Sequence, residues 1–179
     1  MSMVFTVNLI YFVTIVGLDP LQMVLVGTVL ELAIFLFEIP TGVVADVVSR
    51  KVSIIIGVFL IGAGFVLQAS FLSFGFILVA QVLWGLGYTF TSGATQAWIS
   101  DEIGEDRAGS AFIHAAQWEQ AGALVGIGLS VLLSSIWGMR IPMLLGGLFF
   151  WILGLYMIIW MPANAFIRKA THFQSSWEE

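Results

Sequence analysis

The sequence has no cysteine, which excludes a disulfide framework and a thiolate metal site. Charge is nearly as scarce. Only 9% of the residues are Asp, Glu, Lys or Arg, against about 25% in an ordinary soluble domain. From Val52 to Ser100 there is no charged residue at all. As a single helix that stretch would be roughly twice as long as a bilayer core is thick, so it must fold back as a membrane hairpin. The six Lys and Arg residues are dispersed along the chain, which sets nucleic-acid binding aside. Met1 to Gly17 lacks a basic leading region and a small-residue cleavage site, so no cleavable signal peptide is expected. His-Glu-x-x-His, Gly-x-Ser-x-Gly and clustered metal ligands are also missing. Neither an enzyme nor a cofactor or metal is expected.

What is present is apolar. Hydrophobic residues make up 60% of the 179-residue chain, well above the about 45–50% of soluble proteins. Six apolar segments emerge, at 3–17, 21–46, 53–71, 75–99, 110–135 and 141–161. All but the first are long enough to span the hydrocarbon. The first either spans only part of it or begins upstream of Met1. Gly17-Leu18-Asp19-Pro20, Ser73-Phe74-Gly75 and Trp137-Gly138-Met139-Arg140 carry turn chemistry, Asp101 to Gly109 reads as a short charged loop, and Pro162 ends the last segment. Residues 1–162 thus read as one six-span bundle, and 163–179 as a cytoplasmic linker or tail. Arg50, Lys51, Arg107, Arg168 and Lys169 follow even-numbered segments, and only Arg140 lies on the other side. By the positive-inside rule both termini face the cytoplasm.

Each polar group within a span must be satisfied, so its helical face matters. Thr28, Glu31, Phe35 and Glu38 fall on one stripe of the second segment. Gln81, Tyr88, Ser92, Thr95 and Gln96 share an arc of the fourth. Asn8, Tyr11 and Thr14 recur at near-helical spacing in the first, and the fifth opens with His114, Gln117, Glu119 and Gln120. The third and sixth segments are almost purely apolar, with Gln68 the one amide between them. Segments three and six are therefore expected to face lipid, and the other four to line something polar. Burial in low dielectric favours a carboxyl's neutral form, so Glu31 or Glu38 could carry a proton near neutral pH. A buried acid bonded to a neighbouring helix explains Glu31 equally well, and Glu38, nearer the cytoplasmic end beside Pro40, reads first as a gating or packing residue. Glu119 shares a face with Gly122 and Gly126, a small-residue surface that permits close helix approach. His114 reads as an interfacial histidine. The Trp and Phe residues read as lipid-facing or interfacial anchors, with Trp84 and Trp98 set apart by the polar stripe they accompany.

After the second segment the chain reads Gly42-Val-Val-Ala-Asp46-Val-Val-Ser-Arg50-Lys51. This resembles the signature loop of the major facilitator superfamily, in which a Gly is followed by Asp four residues on and Arg eight on, then a second basic residue. Val47 stands where that family usually has a basic residue, and Ser49 where it usually has Gly. The entry Phe37-Glu38-Ile39-Pro40-Thr41-Gly42 looks like that of many bacterial drug-exporter-like members. The resemblance implies that Gly42 permits close helix approach, and that Arg50 pairs with Asp46 and with an acid at the end of the fourth segment, for which Asp101 is the candidate. It further implies that this cluster latches the outward-facing state. Two other family motifs are partial. Gln81 replaces the Arg that usually precedes the Gly85-Leu86-Gly87 pattern, and Ile127 rather than Pro follows Gly122 and Gly126. A charge for proton coupling is thus missing at Gln81, while export in general stays open.

The resemblance implies an all-α integral membrane protein, with six transmembrane helices as one half of a major facilitator fold and a truncated first helix. It implies alternating-access transport of a small solute across the lipid bilayer, in the bacterial cytoplasmic membrane. A second six-helix half, a missing C-terminal half or a second copy, would complete it. Gly42, Asp46, Arg50, Lys51 and Asp101 are the expected gate. Glu31, Glu38, Glu119, Gln81, Tyr88, Ser92 and Gln96 are the expected coupling or substrate residues. The alternative is a truncated or non-transporting subunit that serves assembly.

Overall fold

The computed structural model describes residues 8–162. The expected tail with Arg168 and Lys169, and residues 3–7 of the opening segment, lie outside the described residues. A first helix, α1, covers residues 8–16, and its second half, Phe12–Val16, is wound as a π-helix. Gly17 ends it at φ +73°, and Leu18 N–H donates back to the Phe12 carbonyl at 3.0 Å. This left-handed glycine stop satisfies carbonyls that a helix end leaves open.

Helix α2, Pro20–Val47, starts on a capping box. Gln22 N–H donates to Asp19 Oδ1 at 2.8 Å, Asp19 N–H donates to Gln22 Oε1 at 3.1 Å, and Pro20 occupies the first turn where no N–H is needed. Ser49 caps α3, Arg50–Ser70. Helix α4 covers Phe74–Ile103, α5 Glu105–Trp137 and α6 Arg140–Trp160. Between α4 and α5 only Gly104 is non-helical, at φ +82°. The charged stretch 101–109, expected as a loop, is therefore helical on both sides of one residue. Glu105 and Asp106 fall in the first turn of α5, where the helix dipole favours acids.

Among the described residues five helices are long and apolar enough to cross a membrane, α2 to α6, and no strand occurs. Successive hairpins bring the end of α2, the start of α3 and the ends of α4 and α6 together. Lys51 Nζ donates to the Ile158 carbonyl at 3.1 Å, and Trp98 Nε1 to the Pro162 carbonyl at 2.9 Å. At the opposite end Tyr11 Oη donates to the Gln68 carbonyl at 2.9 Å, joining α1 to α3.

The helices pack in the order α2, α4, α3, α6, and glycine decides how closely. A Cβ on Gly57 would lie 2.5 Å from the Gly87 carbonyl oxygen, and one on Gly87 2.7 Å from that of Gly57. Gly62 and Gly147 make the same reciprocal approach between α3 and α6, at 2.9 and 2.8 Å. Lipid tails are as apolar as side chains, so such close backbone packing is what holds membrane helices together. The expected outer position of α3 therefore does not hold within this chain. Its glycines seat it between α4 and α6, and it is the most enclosed helix of the five. Gly42, Gly122 and Gly126, expected as close-approach sites, meet nothing within 4 Å. Helix α5 stands largely uncovered, with Ala108 its one buried residue.

Candidate functional site

At the end where α2 turns into α3, one arginine joins three helices. Arg50 is the first residue of α3, and the Ser49 cap directs it toward the end of α4. Its Nη1 donates to the Ala97 carbonyl at 2.8 Å and to the Asp101 carboxylate, both on α4. Its Nη2 lies 3.8 Å from Asp46 Oδ1 at the end of α2. The guanidinium is nine-tenths buried, whereas Asp101 is about a quarter exposed and Asp46 about half exposed. Asp101 is thus the main counter-charge, and Asp46 the outer one. Arg50 Nε is buried with no partner, so the cluster does not satisfy the arginine fully.

A cavity of about 350 Å³ opens beside the cluster between α2 and α4. Glu38, Gly42 and Asp46 line it from α2, Ser92 and Gly93 from α4, and Arg50 from α3. Gly42 thus borders open space rather than another helix of this chain. Lys51 points away from the cluster to the end of α6.

A second polar cluster lies toward the other end. Gln81 Nε2 donates to Gln68 Oε1 at 3.5 Å, and Gln68 Nε2 donates to Asn8 Oδ1 at 3.4 Å. Both glutamines are buried. The amides tie α4 to α3 and α3 to α1. Asn8 and Gln81 border a cavity of about 190 Å³ whose wall also includes Phe12 and Trp84.

The remaining expected residues are not gathered into one cavity. Ser92 lines the cavity beside Arg50, and Gln81 belongs to the amide cluster. Tyr88 is half-buried and Gln96 exposed, and neither lines these two cavities. Glu31 sits in a shallow groove on the uncovered face of α2 with Thr28 and Phe35. Glu119, Gln117 and Gln120 are exposed on α5, and His114 Nδ1 bonds within its own helix to the Ser110 carbonyl at 2.7 Å.

Sequence reasoning passed over Gln68 and the anchoring role of Trp98. A lone amide in an apolar helix was the available signal for Gln68, since it must find a partner. Nothing in the sequence marked Trp98 as the donor to Pro162.

Comparison with known proteins identifies the family. The family described as Major Facilitator Superfamily matches residues 1–177. An uncharacterized MFS-type transporter, YxaM, of Bacillus subtilis (strain 168) is 30% identical over 154 residues. That alignment covers 84% of this chain but 36% of the relative, so the chain spans little more than a third of that protein's length.

Proposed function

The chain belongs to the major facilitator superfamily, and on that premise we propose that it forms one half of a secondary transporter that moves a small solute by alternating access. The reading has six spans, α1 completing the five long helices, and a second six-helix half beside α2 and α5. Its membrane is the bacterial cytoplasmic membrane, with both termini and the Arg50 end on the cytoplasmic side, where the basic residues gather. Export is the direction favoured by the run from Phe37 to Gly42. Glu31, Glu38 and Glu119, on the faces this unit leaves uncovered, are the coupling candidates.

The observation that carries the proposal is Arg50 bridging Asp46 and Asp101. One buried cation fastens the α2–α3 turn to the end of α4, which is where a cytoplasmic gate must close. Removing a partner from a buried pair costs about 3–5 kcal/mol, whereas an exposed partner is worth about 0–1 kcal/mol. Asp101→Asn should therefore open the gate more than Asp46→Asn.

These 179 residues contribute no cysteine, so the test is made in the full-length protein after any cysteine outside them is replaced by serine. A single thiol at Gly93 (Gly93→Cys) would be labelled by a membrane-impermeant maleimide from the cytoplasmic side. Labelling should speed up most with Asp101→Asn, less with Asp46→Asn, and not at all with Val47→Ala. Equal rates in all four proteins would sink the gate.

A further inference from the structure

The amide cluster carries an inference about what the protein binds. We propose that Gln68 is a positioning residue, which sets Gln81 and Asn8 to hold a small uncharged solute bearing a hydrogen-bond donor and an acceptor. This rests on the transport reading and names the solute class for it.

The argument begins with the direction of the bonds. Gln81 donates to Gln68, and Gln68 donates to Asn8. Each amide's N–H₂ thus points to the next amide's oxygen. The chain of amides ends with the Gln81 oxygen as acceptor and the Asn8 N–H₂ as donor. Both residues line the 190 Å³ cavity between α1, α2 and α4. Gln68 does not line that cavity, so it reaches a solute only through its two neighbours. Tyr11 bonds to the main-chain carbonyl of Gln68, which holds α1 against α3 independently of the amide side chain.

The bonds at 3.4 and 3.5 Å are longer than the usual 2.7–3.2 Å range. A solute that takes up the two free ends therefore gives up little in exchange. Phe12 and Trp84 supply apolar walls, and among the described residues no charged side chain lines the cavity. A charged solute would lose its hydration there without a counter-charge, which is costly in low dielectric. A neutral planar amide meets the Gln81 acceptor and the Asn8 donor together. Sites built around such hydrogen bonds reject analogues that lack them.

The test uses the full-length protein in membrane vesicles, with any cysteine outside these residues replaced by serine and the thiol of Met23→Cys on the cavity wall. Labelling by N-ethylmaleimide is followed with three probes of similar size: benzamide, benzylammonium and benzoate. Benzamide should slow labelling, while the two ions should not. Leu72→Cys, exposed in the connection between α3 and α4 and outside the cavity wall, reports non-specific effects and should stay unchanged. Gln81→Leu and Gln68→Met should each raise the benzamide concentration needed by about tenfold, the loss expected for one hydrogen bond. Gln68→Met keeps the side-chain length and the Tyr11 bond, and the thermal midpoint of each variant in detergent checks that it folds. Equal or stronger protection by an ion would overturn the neutral-solute assignment. Unchanged protection in Gln68→Met would overturn the positioning role. A failed gate test with these results intact would remove the transport reading and leave the binding site standing.

Discussion

Glu31 shows how far a single residue constrains its surroundings. It lies on an uncovered face of α2, beside Thr28 and Phe35. A carboxylate facing hydrocarbon at mid-span costs about 2.5–3.5 kcal/mol on insertion scales. No ordinary lipid-facing packing repays that. On the proposed reading, the face of α2 that carries Glu31 would meet water or protein rather than lipid. If it borders a solute pathway, the lone thiol of Glu31→Cys should react with a charged methanethiosulfonate reagent, which attacks only where water reaches. Absence of labelling would make Glu31 a buried interhelical acid instead. Residue chemistry was legible in the sequence where bonds are local or fixed by a motif. Asp19 and Gln22 cap α2 within four residues, and the spacing of Asp46 and Arg50 put both at one helix junction. Asp101 was reachable only through the family resemblance, because nothing local says that the end of α4 returns to the start of α3.

Among elements, the close crossings depend on glycines that sequence spacing could not single out. Gly122 and Gly126 have the small-xxx-small form, yet nothing lies near them, while Gly57 and Gly87 touch backbone to backbone. Which glycines matter is set by which helices cross, and that is a tertiary fact. The consequence is a sharp contrast between two identical substitutions. Gly57→Ala puts a methyl 2.5 Å from the Gly87 carbonyl oxygen, and backbone cannot step aside as a side chain can. Overpacking of this kind costs typically about 1–3 kcal/mol, against a helix-propensity gain of about 1 kcal/mol. Gly57→Ala should lower the thermal midpoint in detergent. Gly122→Ala should leave it unchanged or raise it slightly, because only the propensity gain remains. Matching midpoints would mean that the α3–α4 crossing is not what holds the bundle. The same crossings explain why α3, almost purely apolar and expected outside, is enclosed: glycine rather than polarity chose its position.

In the whole molecule the uncovered faces of α2 and α5 stand out. Helix α5 buries only Ala108 against the rest of the chain, and Glu31, Glu38 and Glu119 lie on these two helices. Three carboxylates spread over them make lipid an unsuitable neighbour for both. A second set of helices would cover them, give the carboxylates partners or a water path, and provide the opposite wall that alternating access needs. The aligned relative, of which this chain covers 36%, is long enough to contain such a set. The native product in its own membranes should accordingly be larger than the 19.6 kDa of this sequence. Immunoblotting with an antibody to residues 101–109 should give a band near twice that mass. A band at the chain's own mass would require the cover to come from another polypeptide. Cross-linking from an α5 position such as Leu124→Cys would then separate a second copy, which yields a homodimer, from an unlike partner or none. Only the first two outcomes leave room for transport, since a lone bundle with α2 and α5 bare has one wall of a pathway and nothing to rock against.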